Sequence, residues 1–352
     1  MEIKFTPLDT LFFRDSKPFT MGEDSWANTI FPPFPSVIYG VLRSLYFSNN
    51  LGELTKANEN DDPTKQLTIK KICFSFDENY YFPVPLDIVQ RKNQFASFKK
   101  LSLEEKKSAI TSCPTEYILK SNEQVENVFG LIPQNQLVEY LSKGEIKNSL
   151  EVLKYEDFIF REPKIGIKKS KKTGSSEEGM LYRVEMLRLE KKDGKKMSLC
   201  VDFENLKVPE KGLAKFGGEG KAVYYESGNN FNLSANRISE GSNQFKIYLA
   251  TPAIFEKGWI PGWLNENNLE GSFNGIDLKL LSAVIGKPIP IGGFDMKKKR
   301  PKPLQKAVPA GSVYYFEIIN GNTENAYSSF HQKAISDVYP EQGFGIAYCG
   351  VI

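Results

Sequence analysis

The feature that most limits the fold is one amphipathic helix pattern set between strand-like segments. Val37, Ile38, Val41, Leu42, Leu45 and Tyr46 recur at helical spacing on one face, with Ser36 placed as N-cap and Asn49-Asn50 as the stop. Ahead of it, Ile3, Phe5 and Pro7 alternate with Lys4, Thr6 and Leu8, which predicts a strand. Behind it, 67–76 reads as a second strand, and Pro83 and Pro85 mark an extended, kinked passage. Strand, helix, strand and strand again, with no regular repeat, predicts an α+β fold rather than a doubly wound sheet.

Further along, residues 91–150 read as a largely helical insertion, with helices expected near 102–110 and 134–141. From Tyr155 the pattern turns strand-like. Ile165-Gly166-Ile167 runs into a basic tip, and Met180 to Leu189 returns, which predicts a long β-arm over 161–190. Strands are expected over 197–203, 245–255, 312–319 and 344–352, and a helix or strand over 278–285. Glycine density peaks over 205–245, which places a domain boundary there.

A chain of 352 residues, 40% hydrophobic and 25% charged, is long enough for two packed cores. No apolar run reaches the roughly 18 residues of a membrane span, and the N-terminus shows no apolar signal core, so no membrane role is expected. Cys73, Cys113, Cys200 and Cys349 lie far apart without a C-x-x-C pair. That speaks against a zinc site or a disulfide framework and fits a reducing cytoplasm. The net charge of +3 conceals an uneven distribution. Residues 161–172 hold six basic residues against one acid, and 297–306 hold six with none, on a mildly acidic remainder. Such clustering suits attraction of a polyanion to particular places. The alternative is a pair of solvated lysine loops.

Three groups of residues could carry chemistry. In Gly217-Gly218-Glu219-Gly220-Lys221 the glycines let the backbone approach a ligand and aim N–H groups at an anion, with Lys221 as counter-charge. The spacing is not that of a Walker loop, and a plain strand-to-strand turn is the other reading. The loop 292–312 contains Lys298, Lys299, Arg300 and Lys302, stiffened by Pro301 and Pro303. With no Trp, Tyr or His between them, they suit phosphate positioning without base stacking. Arg14 and Arg43 stand alone in apolar surroundings, where a guanidinium commonly holds a phosphate or an acid such as Asp9 or Asp15. His331 is the only histidine, and no H-x-x-x-H, G-x-S-x-G or contextual D-x-D pattern accompanies it. Trp259 and Trp263 in GWIPGWL suit either a partner contact or the core.

With those residues in view, the chain resembles the RAMP family that forms the third subunit of the Cmr (type III-B) CRISPR complex. The supporting segments run in order along nearly the whole chain: PLDTLFFRDSKPF at 7–19, FPPFPSVIYGVLRS at 31–44, FPVPLDIV at 82–89 and EPKIGI at 162–167. LAKFGGEGKAVYY at 213–225, GWIPGWL at 258–264 and GGFDMKKKRPKPLQKAVPAGSVYYFE at 292–317 complete them. Intervals 45–80 and 90–155 carry little of the pattern.

The resemblance implies two ferredoxin-like (RRM-like) modules, here 1–210 with the insertion and the arm, and 211–352 with the glycine-rich loop. It implies no nuclease activity and no cofactor or metal. The expected partners are the 5′ tag of the crRNA, the large polymerase-like subunit and the backbone RAMP subunits, with target RNA touched only indirectly. By motif, the expected RNA contacts are Arg14, Ser36, Arg43, Arg161, Lys164, Gly166, Lys168, Lys169, Gly217, Gly218, Gly220 and Lys221, joined by Lys298, Lys299, Arg300 and Lys302 of the basic loop. Two alternatives stay open: a metal-independent RAMP-type endoribonuclease using His331, and a pure scaffold whose basic loops meet acidic partners.

Overall fold

The computed structural model describes residues 1–15, 26–94, 96–106, 114–146, 150–170, 172–229, 233, 242–295 and 300–352. Two antiparallel sheets dominate. The eight-stranded first sheet runs in the spatial order Leu153–Lys154, Gly130–Pro133, Asn79–Pro83, Thr68–Phe76, Met197–Glu204, Glu2–Pro7, Ala222–Ser227, Lys211–Lys215. Glu2–Pro7 is central, and Phe5 stands opposite Leu199 on one side and Tyr225 on the other. The six-stranded second sheet runs Glu270–Phe273, Ile276–Val284, Val313–Asn320, Gln244–Leu249, Ile346–Gly350, Lys333–Ala334. In each sheet four strands that follow one another along the chain stand in the spatial order second, third, first, fourth. They are Glu2–Pro7, Thr68–Phe76, Met197–Glu204 and Ala222–Ser227 in one, and Gln244–Leu249, Ile276–Val284, Val313–Asn320 and Ile346–Gly350 in the other.

Each half keeps one crossover helix. In the first, α1 (Pro35–Asn49) connects the first strand to the second, and Ile38, Val41, Leu42 and Leu45 form its buried face. In the second, α3 (Thr323–Phe330) joins the third strand to the fourth; the Asn322 side chain accepts from the Asn325 amide at 2.8 Å. Sequence reading assigned no helix there. Ser36 is not the N-cap of α1: Phe34 holds that position without a side-chain bond, because Pro35 supplies a preset φ and no N–H at the first helical position.

The 91–150 stretch is mostly short strands. Gln134–Lys143 is helical as expected (α2) and ends at Gly144 with φ 70°. The helix expected over 102–110 is instead a strand at Ser102–Glu105, paired with Tyr117–Lys120 so that the backbone bonds across a hairpin; residues 107–113 lie outside the described ones. The arm is present as a hairpin of Ile159–Lys169 and Ser176–Leu189, in register from Ile159↔Leu189 to Ile167↔Leu181. Trp26–Ala27 adds a third, parallel strand to it.

The boundary expected after 210 would cut the first sheet. Lys211–Lys215 and Ala222–Ser227 hydrogen-bond into it, because Ala222–Ser227 takes the free edge of Glu2–Pro7; the change of sheet falls between Ser227 and Gln244. The larger core draws on both sheets, with Phe5, Phe74, Phe76 and Phe203 packed in the same cluster as Tyr248, Tyr315 and Tyr348. A polar group lies buried at this junction. Asp87 accepts from the hydroxyls of Tyr140 (2.7 Å) and Tyr315 (2.5 Å). The fully buried Lys246 ammonium lies 3.3 Å from the centre of the Tyr140 ring with no hydrogen-bond partner among the described residues. Cys73 and Cys200, distant in sequence, face each other across the first sheet as free thiols.

Candidate functional site

The segment after the first strand acts as a hub on which three predicted elements meet. Leu11 exchanges two backbone bonds with Leu187 of the arm (2.7 and 2.8 Å), and the Phe12 carbonyl accepts from the Gly218 amide at 2.8 Å. Phe13 donates its amide to Thr29 Oγ1 (3.0 Å), its carbonyl accepts from the Ile30 amide (2.8 Å), and its ring meets Phe216 edge-on at 5.1 Å. The apolar run Leu11-Phe12-Phe13 is buried, and this burial locks the arm and the glycine turn to one anchor.

The glycine turn has φ of 81° at Gly217, 56° at Glu219 and 66° at Gly220. A Cβ at Gly217 would run into the Phe12 carbonyl oxygen, so glycine there serves both close approach and a left-handed backbone. Gly220 faces open space. The Gly218 and Lys221 amides bond within the protein, whereas those of exposed Glu219 and Gly220 make no bond among the described residues. Such outward amides in a left-handed turn suit an anion.

Among the basic side chains, some serve the scaffold. Lys221 Nζ donates to Thr10 Oγ1 (2.7 Å) and Asp9 Oδ2 (3.3 Å). Arg188 donates to Glu162 and to Asp9 Oδ1 (3.2 Å). A backbone amide bond at Thr10, with Lys221 and Arg188 beside it, holds the Asp9 carboxyl below its ordinary range. Arg161 is engaged by Glu185 and by the Thr29 carbonyl. Arg43 is fully committed elsewhere: it donates to Thr64 Oγ1 (2.7 Å), Asn58 Oδ1 (2.9 Å) and Asp62 Oδ2 (2.6 Å), pinning the 58–64 loop. Its partners are thus Asp62 and that loop, not Asp9 or Asp15.

Others remain outward. Lys164 and Lys169 are exposed on the arm with no acid partner among the described residues, and Arg14 is exposed at the hub beside Thr29. Gly166 stands opposite Tyr182, whose ring occupies the place a Cβ would take. Lys168 lies in the arm strand, and the structure describes its backbone only. Arg300 and Lys302 are exposed, the Lys302 amide bonding to the Gly293 carbonyl at 2.9 Å; Lys298 and Lys299 lie outside the described residues. The root of this second basic loop, Ile291 and Ala307, packs with Phe34 and against Ile30 and Val37, and Ile30 is the residue next to the hub's Thr29. Ser36, half-buried in the first turn of α1, belongs to the same neighbourhood.

Two open readings meet the structure here. Trp259 and Trp263 are both partly buried against the second core cluster, the Trp263 ring 5.3 Å from Phe273, 5.6 Å from Phe316 and 5.9 Å from Phe330, and the Trp259 carbonyl accepting from Tyr314 (2.7 Å). They bury because the second half lacks a helix at its first crossover, and this irregular segment covers the sheet instead. His331 is buried at the end of α3, stacked on Tyr327 at 4.2 Å, with Nε2 3.1 Å from the Leu233 carbonyl. Burial lowers its pKa, no acid partners it among the described residues, and its ring lacks the solvent access of a general acid or base. Sequence reading missed Trp26, a lone large aromatic in a polar stretch, which sits half-exposed on the arm's third strand. A groove of 460 Å³ lined by Thr68–Lys70, Phe273, Ser329, Lys333 and Glu341 shares no residue with the hub, the arm or the turn. No group of three metal-ligating side chains occurs, and no helix is long and apolar enough to cross a membrane, among the described residues.

Comparison with known proteins fits this architecture. A chain in the cryo-EM structure of the Type III-B Cmr-beta bound to cognate target RNA and AMPPnP (state 1) matches with a TM-score of 0.52 at 16% identity, covering 90% of this chain and 86% of that one. A chain in the cryo-EM structure of the Type III-B Cmr-beta bound to cognate target RNA matches with a TM-score of 0.51 at 17% identity and the same coverage. At these identities the likeness is one of fold. No curated protein matches the sequence. The family profile described as CRISPR-associated protein (Cas_Cmr3) matches residues 3–352, and the chain therefore belongs to the Cmr3 family of type III-B CRISPR complex subunits.

Proposed function

We propose that this subunit is a non-catalytic crRNA-binding protein that holds the 5′ tag of the guide, docks the large signalling subunit and contacts the neighbouring backbone subunits. The repeated strand order second, third, first, fourth, with one crossover helix in each half, supports two ferredoxin-like modules of RAMP type, 1–227 and 244–352. The observation that carries the functional reading is convergence. The glycine turn, the basic arm and the 26–30 segment are all bonded to Leu11-Phe12-Phe13, and the root of the 292–302 loop packs against Ile30. Outward amides at Glu219 and Gly220 and outward cations at Lys164, Lys169, Arg300 and Lys302 supply the groups that grip phosphates.

In this arrangement the protein fixes one end of a single strand and sets its register, while sequence is read elsewhere by base pairing. Arg161, Arg188 and Lys221 hold the site's shape from within. The test is the salt dependence of binding to single-stranded guide RNA by the full chain. The logarithm of affinity should fall with log salt at a slope of about −0.7 per phosphate neutralised. Combined Lys164→Ala and Lys169→Ala should flatten that slope by about 1.4. An unchanged slope in the double variant places the RNA off the arm and overturns the reading.

A further inference from the structure

We infer that Trp26 and Arg183 form a stacking platform on the arm for one unpaired base of the RNA that the protein binds. The inference rests on the RNA-binding reading above and adds a base-contacting site to what there was only phosphate positioning.

The geometry comes from the arm's three-stranded register. Ile165 stands opposite Arg183, and Arg183 opposite Trp26, so the three side chains form one row across adjacent strands, about 10 Å wide at ordinary strand spacing. The Arg183 guanidinium carbon lies 4.0 Å from the centre of the Trp26 ring. This cation–π contact holds a flat cation against a flat indole and fixes the rotamers of both, which lowers the ordering cost of receiving a third flat group. Trp26 nevertheless remains 51% exposed and Ile165 66% exposed, and Ile167 extends the same face at 48%. A large aromatic left open beside two open isoleucines is an unfilled apolar surface, not a solvated loop.

Arg183 supplies the second observation. Its Nε is buried without a hydrogen-bond partner, and no acid pairs with its guanidinium among the described residues. Arg161 and Arg188 on the same arm, by contrast, are bonded to Glu185 and to Glu162 with Asp9. The buried Nε is closed to a ligand, so it is the remainder of this guanidinium, which no acid pairs among the described residues, that offers donors to a base edge or its phosphate. Of the two macromolecules that could cover an aromatic–arginine–aliphatic row, RNA fits the surrounding charge. Lys169 lies beyond Ile167 on the arm, and Lys164 is an outward cation at the level of the row on the arm's other face; both repel a basic partner and attract a phosphate backbone.

The experiment measures binding of the full chain to a labelled oligoadenylate and to an oligomer of equal length and charge whose riboses lack bases. Trp26→Ala should weaken oligoadenylate binding by about 5- to 150-fold, the range of losing one stacked base, and leave the abasic oligomer and the salt slope unchanged. Trp26→Phe keeps a ring and should restore most of the affinity. Equal losses on both oligomers overturn the platform and leave a general defect. No loss on either overturns it while the RNA reading stands; if the same variant then fails to join its neighbouring subunits, the row is a protein contact. Absence of oligomer binding by the wild-type chain removes the RNA reading and the platform together.

Discussion

Replacing Asp87 by alanine tests how the two halves of the molecule are joined. The Asp87 side chain is buried between them and accepts the hydroxyls of Tyr140 from α2 and Tyr315 from the second sheet. Removal strands both hydroxyls and takes away the acid that favours a charged Lys246. Hydrogen bonds to a carboxylate contribute roughly 1.5–3 kcal/mol each, and breaking a buried charged cluster costs about 3–5 kcal/mol. We expect about 3–5 kcal/mol, read as a fall of about 1–1.7 M in the urea midpoint at a slope near 3 kcal/mol/M. Lys246 should behave oppositely. Burial pushes its pKa well below the usual lysine value, and its ammonium makes no hydrogen bond among the described residues, so Lys246→Met removes a desolvated amine and should be neutral or stabilising. The sign of the pH effect follows. With the folded pKa depressed, the unfolded chain binds the extra proton, so wild-type stability rises with pH towards the unfolded lysine value near 10.5. The advantage of Lys246→Met should therefore shrink between about pH 7 and pH 10. A mild Asp87→Ala, or a Lys246→Met as damaging as Asp87→Ala, refutes this account of the junction.

Other outcomes follow from the same contacts. Gly217→Ala must displace the Phe12 carbonyl and adopt φ near 81°, so it should cost clearly more than the roughly 1–2 kcal/mol of Gly220→Ala, which meets only the left-handed backbone penalty; paired thermal melts rank them. Arg43→Ala should lower stability by about 2 kcal/mol through loss of the Asp62, Asn58 and Thr64 bonds, with RNA affinity unchanged in a titration. His331 has a lowered folded pKa, so its contribution is present above about pH 6.5 and is lost as pH falls through the folded value; His331→Phe should reduce acid sensitivity in that window, measured by urea midpoints. A His331→Phe chain that is as acid-sensitive as wild type contradicts the burial argument.

How much of this was legible in the sequence depends on the range of the interactions. Helix α1 and the hairpin arm announce themselves because their patterns are local: an apolar stripe at 3.6 spacing, and alternation interrupted by a basic turn. Ser102–Glu105 was misread as helix because its helix-forming glutamates outweigh a weak alternation that only pairing with Tyr117–Lys120 makes decisive. The change of sheet falls inside the glycine-dense 205–245 region, but its exact place was hidden for a related reason. Glycine density marks a turn, but nothing local tells Ala222–Ser227 that its partner is Glu2–Pro7, more than 200 residues away. At the site, the right segments were named while individual roles were not. Lys221 and Arg43 are basic on paper, yet Thr10, Asp9 and Asp62 reach them only in the folded chain. Trp263 suited core or partner equally on paper, and only the folded chain brings Phe273, Phe316 and Phe330 against it; Trp26 was passed over because the strand it extends is two residues long.

The central claim is that the arm, the glycine turn and the 26–30 segment share one RNA end. Placing single 4-thiouridines along the 5′ end of the guide in the assembled complex, irradiating, and identifying the crosslinked peptides tests it directly. The account predicts crosslinks to peptides that contain Arg14, Trp26, Lys164–Lys169 and Gly217–Lys221. Crosslinks confined to the face around α3 and the groove lined by Thr68–Lys70, Phe273, Ser329, Lys333 and Glu341, with none at the hub, contradict it.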